Sequence, residues 1–61
     1  MKPRDRFSCD TVKACHVLYA RRVLRWSTTR TAIFFELNSG YVSKIARGLR
    51  FPSAFPLPFE H

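Results

Sequence analysis

Between Thr11 and Trp26 the hydrophobic side chains return at steps of three and four residues. Val12, Cys15, Tyr19, Val23 and Trp26 make one stripe, which Leu18 and Leu24 widen. That period belongs to an amphipathic helix whose apolar strip faces a core. Asp10 or Thr11 suits its start, because either side chain can accept from the unpaired first-turn amides, and Asp10 also complements the positive end of the helix dipole. Arg21, Arg22 and Arg25 fall in the last turns, where cations suit the opposite end.

The next stretch, "STTRTAIFFEL" at residues 27–37, fits two elements when taken alone. Its threonines, isoleucine and paired phenylalanines have strand propensity. A capping Ser27 or Thr28, the absence of glycine or proline, and the lack of a second strand to pair with predict a helix instead. "NSGYVSKIARG", residues 38–48, follows as a turn and a third helix. Asn38 or Ser39 caps it, Val42 and Ile45 form its buried side, and Gly48 closes it in the left-handed conformation with Arg47 in the last turn. Beyond lies "LRFPSAFPLPFEH", where prolines 52, 56 and 58 exclude an ordinary helix and predict an extended, polyproline-like tail rich in phenylalanine.

The pattern therefore predicts an all-α chain: a basic, frayed arm at 1–9, a three-helix helix-turn-helix domain at 10–51, and an extended Phe/Pro-rich C-terminal tail at 52–61. A chain of 61 residues makes one domain at most, and chains of this size bury only about 60% of their unfolded surface, so a dimer partner would help stability. At 46% hydrophobic and 15% aromatic the chain is too apolar for a disordered basic tail.

Charge narrows the function. Eleven lysines and arginines stand against four carboxylates, for a formal net charge of +7, and this balance favours a polyanionic partner, nucleic acid before membrane. No apolar run approaches the roughly 18 residues needed to span a bilayer, and "MKPRDRFSCD" has a charged start without an apolar signal region, so a cytoplasmic protein is expected. Cys9 and Cys15 allow a disulfide, or a metal site with His16. Zinc wants four ligands and the only other histidine is His61, so no metal and no cofactor are expected, and Cys15 reads as a small buried apolar residue.

Catalysis finds little support. Asp5, Asp10, Glu36 and Glu60 are scattered, there is no phosphate-cradling glycine loop, and Cys15 and His16 point about 100° apart on a helix, poor geometry for a thiolate pair. The chain is not expected to be an enzyme.

From Trp26 to about Phe51 the sequence resembles the helix-turn-helix of the phage repressor and Cro-type family, and of small regulators on bacterial mobile elements. Ala32, Val42, Ile45 and Gly48 carry the likeness, at successive steps of ten, three and three residues. Each has a physical reason: alanine lets two helices cross closely, the aliphatics fill the contact, and glycine turns the chain away. Trp26, Thr28, Phe35, Leu37 and "RGLRFP" match further positions. Two residues depart from the pattern: Glu36 stands where the family has its turn glycine, and Thr31 replaces an aliphatic residue beside Ala32.

The resemblance implies a sequence-specific DNA-binding transcriptional regulator, homodimeric on an inverted repeat in double-stranded DNA. It places Ser39, Gly40, Tyr41, Ser43 and Lys44 toward the bases, where Lys44 would donate to guanine and Tyr41 would pack on a thymine methyl or donate to phosphate. It places Thr28, Arg30, Arg47 and Arg50 at phosphates, contributing affinity rather than sequence choice. Lys44 as a solvated surface lysine and Tyr41 as a half-buried core aromatic remain open. Ile33 and Phe34 fall at positions that face solvent in this family and invite a cover. Phe51, Phe55, Leu57 and Phe59 of the tail would supply it, within one chain or across a dimer, unless the tail is simply a mobile end. Rival readings are an excisionase-like DNA-bending factor, a module that captures a larger protein partner through its apolar tail, and a cationic peptide stapled by Cys9 and Cys15.

Overall fold

The computed structural model describes residues 10–61 and contains three helices, α1 (Thr11–Arg22), α2 (Thr28–Phe35) and α3 (Ser39–Ala46). No strand occurs among the described residues, so the fold is all-α, and "STTRTAIFFEL" is helical rather than extended. The basic arm and Cys9 lie outside the described residues.

Each helix starts on an extended residue whose side chain accepts from an otherwise unpaired amide. The Asp10 carboxylate takes the Lys13 N–H at 2.8 Å, Ser27 Oγ takes the Arg30 N–H at 3.0 Å, and Asn38 Oδ1 takes the Gly40 N–H at 2.7 Å. In each pair of candidate caps the earlier residue does the capping, and the later one is already in the first turn.

The helices α2 and α3 end alike. Glu36 is left-handed at φ 56°; its N–H donates to Ile33 O at 3.3 Å while Leu37 N–H reaches back to Ala32 O at 2.8 Å. Gly48, at φ 80°, repeats the pattern: its N–H donates to Ile45 O at 3.1 Å and Leu49 N–H to Lys44 O at 2.9 Å. Both are Schellman closures, which satisfy final-turn carbonyls and turn the chain sharply. Glu36 thus adopts the conformation for which the related pattern uses glycine, and the turn between α2 and α3 stays three residues long, Glu36 to Asn38. The other departure, Thr31, is fully buried, but its hydroxyl donates to Ser27 O at 2.8 Å, so no polar group is stranded in the core.

Helix α1 corrects the expected stripe. It buries Ala14, Cys15, Val17, Leu18 and Ala20, while Val12 in the first turn and Val23 at the C-cap are more than half exposed. Of the expected stripe Cys15 and Leu18 are buried; Val17 and the small Ala14 and Ala20, which let neighbouring elements approach closely, complete the inward face. Trp26 does not continue the helix. After Arg22 the Val23 and Leu24 N–H groups both donate to Tyr19 O, Arg25 turns left-handed at φ 62°, and Trp26 N–H donates to Ala20 O at 3.0 Å.

The core joins all three helices and the inter-helix turn: Ala14, Val17, Leu18 and Ala20 from α1, Ala32 and Phe35 from α2, Leu37, and Val42 and Ile45 from α3. Burying each of the larger of these side chains stabilises the fold by about 1.5–3 kcal/mol before ordering entropy is subtracted. Arg22 Nη2 also donates to Ala46 O, in the last turn of α3, at 3.4 Å, setting a cation at the negative end of that helix.

After a turn in which Ala54 N–H donates to Phe51 O, the chain continues without helix and lies along α1. Leu57 is tied to it twice: its N–H donates to Cys15 O at 3.2 Å, and its carbonyl accepts from His16 Nδ1 at 3.0 Å. Phe59 then enters an aromatic cluster, its ring centroid 5.2 Å from Phe35, 5.4 Å from Phe34, 5.7 Å from Trp26 and 5.9 Å from Tyr19.

Candidate nucleic-acid interface

The third helix divides cleanly because successive side chains step about 100° around it. Val42 and Ile45 are buried against the core, at 0% and 1% exposure. The opposite side carries Gly40, Ser43, Lys44 and Arg47, of which Gly40, Lys44 and Arg47 are exposed and Ser43 is partly so. Ser39, exposed, and Tyr41, half-buried, flank this face. The five residues expected at bases therefore occupy one short helix with its start uncovered. Tyr41 differs from the rest in packing partly against the core.

Gly40 has a local role that its spacing alone does not reveal. A Cβ built there would stand 3.0 Å from Asn38 Oδ1, the atom that caps the helix. A side chain at this position would require the capping oxygen to give by a few tenths of an ångström, whereas glycine leaves the cap undisturbed and the helix start bare.

The residues expected at phosphates fall into two kinds. Arg47 is exposed at the C-cap of α3, and Thr28 is half-buried in the first turn of α2. Arg30 and Arg50 are both exposed but leaned on rings: the Arg30 guanidinium sits 4.5 Å from the centre of the Trp26 ring, and that of Arg50 sits 5.7 Å from the centre of the Tyr41 ring. A guanidinium over an aromatic face keeps the donors on its edge available while losing rotamer freedom in advance. Trp26 and Tyr41 thus act as platforms for cations. For Trp26 the four-residue step to Arg30 is the only sign of this in the sequence, and the turn that puts Trp26 off α1 hides it.

The tail residues separate. Phe59 contacts Phe34, and Leu57 is held on α1, while Phe55 and Ile33 stay exposed. Phe55 does not cover Ile33 within the chain, since both stay exposed while the backbone on either side of Phe55 is bonded at Ala54 and Leu57.

Among the described residues no group of three histidine, cysteine or acidic side chains is gathered as a metal site requires, and Cys15 is buried with a free thiol. No helix among them is long and apolar enough to cross a membrane. Comparison of the chain with protein-family models, curated proteins and solved structures returned no match.

Proposed function

We propose that this chain is a helix-turn-helix DNA-binding regulator that works as a homodimer on an inverted repeat. The observation that carries the reading is the outward face of α3, where Gly40, Ser43, Lys44 and Arg47 lie opposite Val42 and Ile45 on a chain of net charge +7. A major groove accepts one α-helix, and a face of small and cationic residues meets both its width and its charge. In this reading α3 enters the groove, Lys44 donates to guanine O6 or N7, and Ser39 and Ser43 take shorter polar contacts. Arg47, Arg50, Arg30 and Thr28 meet phosphates on either side and supply affinity that weakens as salt rises.

The test is a mobility-shift titration across salt, comparing DNA from beside the gene with random DNA, on the parent and on Lys44→Ala. The variant is expected to lose about 1–3 kcal/mol on the specific site and almost nothing on random DNA. Equal losses on both would make Lys44 a phosphate contact, and no binding to either DNA would remove the reading.

A further inference from the structure

The outward face of α2 is the opposite of that of α3. Ser27, Thr29, Arg30, Ile33 and Phe34 line an open groove in which Ile33 is 74% and Phe34 46% exposed. A second apolar group is left over on the tail: Phe55 is 58% exposed although the backbone on both sides of it is tied down, at Ala54 and at Leu57. An exposed side chain on a backbone already held in place costs less ordering when it makes a contact.

We propose that the occupant of the α2 groove is a second copy of this chain, with Phe55 of each copy seated on Ile33 and Phe34 of the other. Three observations favour a copy of the chain itself. Knob and groove lie within reach of one interface: Phe59 touches Phe34 at 5.4 Å, and the four residues from Phe55 to Phe59 span at most about 14 Å, inside the roughly 30 Å width of a standard interface. The area is also sufficient. At about 200 Å² for a fully exposed large side chain, the three residues expose roughly 350 Å² per copy, so reciprocal seating covers about 700 Å² of apolar surface. A standard interface of about 1,200–2,000 Å², a little over half of it apolar, needs roughly 700–1,150 Å² of apolar surface, so the patch meets its lower end. Finally, on a chain of net charge +7 this patch has a single charge, Arg30, already drawn to the Trp26 ring, so two copies meet there with little repulsion. The contact leaves α3 uncovered, and it rests on the DNA-binding reading only for what the dimer would serve.

Sedimentation equilibrium of the full chain without DNA tests it. The parent is expected to dimerise at micromolar concentration, while Phe55→Ser and Ile33→Asp each weaken association by about tenfold or more with unchanged circular dichroism, since both side chains are exposed. Mixing the two variants restores one intact knob in one intact groove, so the mixture should associate more tightly than either variant alone. A parent that stays monomeric at about 100 µM, variants that dimerise like the parent, or a mixture no better than its components would each overturn the proposal. DNA binding is read separately: a dimer indifferent to DNA removes the regulatory reading and keeps this contact, and a monomer that binds DNA does the reverse.

Discussion

The helices α2 and α3 are built to the same plan and present opposite chemistry. Each is eight residues long, starts on a side-chain cap, buries its inner side in the shared core and closes on a left-handed residue. Outward, α2 shows Ile33 and Phe34 with one arginine on an aromatic ring, whereas α3 shows glycine, serine, lysine and arginine. The difference teaches that caps and closures position a helix without deciding what it meets. That decision rests with the few side chains the core does not need.

The tail reinforces the contrast, since its last aromatic contacts α2 and leaves α3 bare. Phe59→Ala is expected to have the largest effect on stability, about 2–3 kcal/mol, somewhat below the loss for a fully buried ring because Phe59 is only partly buried. For a domain of this size that is a fall of roughly 10–20 °C in thermal midpoint. A midpoint within a few degrees of the parent would mean that the aromatic cluster around Trp26 and Phe34 holds without the tail.

Two neighbours on α2 sharpen the distinction between its inner and outer sides. Ala32 is buried in the core, so Ala32→Leu should overpack it and cost about 1–3 kcal/mol in chemical denaturation. Ile33→Ser, one step around the same helix, should change the stability of the dilute chain by no more than about 0.5 kcal/mol. Similar losses for the two would show that α2 is rotated from the orientation described.

The smallest expected effects compare the two closures directly. Gly48 is at φ 80° with nothing within 4 Å of where a Cβ would stand, so Gly48→Ala should cost about 1 kcal/mol through backbone strain alone. Glu36 already bears that strain at φ 56°, and Glu36→Gly should be neutral or stabilising by up to about 1 kcal/mol. Thermal unfolding of both variants beside the parent gives the signs. A destabilised Glu36→Gly would show that the glutamate side chain offsets the strain of its own backbone.

Much of the local architecture was legible because it follows from short-range chemistry. Ser27 and Asn38 cap their helices and Gly48 ends α3, since a cap or closure needs only a few consecutive residues and an unpaired amide or carbonyl within reach. The buried side of α3 was equally plain, because Val42 and Ile45 are the large aliphatics of that helix. The buried side of α1 was legible only in part, through Cys15 and Leu18. Counting hydrophobic residues at helical steps favoured Val12, Val23 and Trp26, which sit at or beyond the helix ends, over Ala14 and Ala20, whose value in a core is their small size.

By itself, then, the sequence determined three helices, their caps, the excess of positive charge and a non-helical end broken by prolines. Each of these depends on neighbours along the chain or on composition. Tertiary structure alone decided that Ala14, Val17 and Ala20 complete the inward face of α1, that Trp26 and Tyr41 hold arginines, and that of the tail residues Leu57 and Phe59 dock while Phe55 does not. Those outcomes join residues distant along the chain, as His16 and Leu57 are at 41 positions. Hydrophobicity has no direction, so a phenylalanine in a sequence carries no mark of which ring it will meet; the space left between packed helices makes that choice.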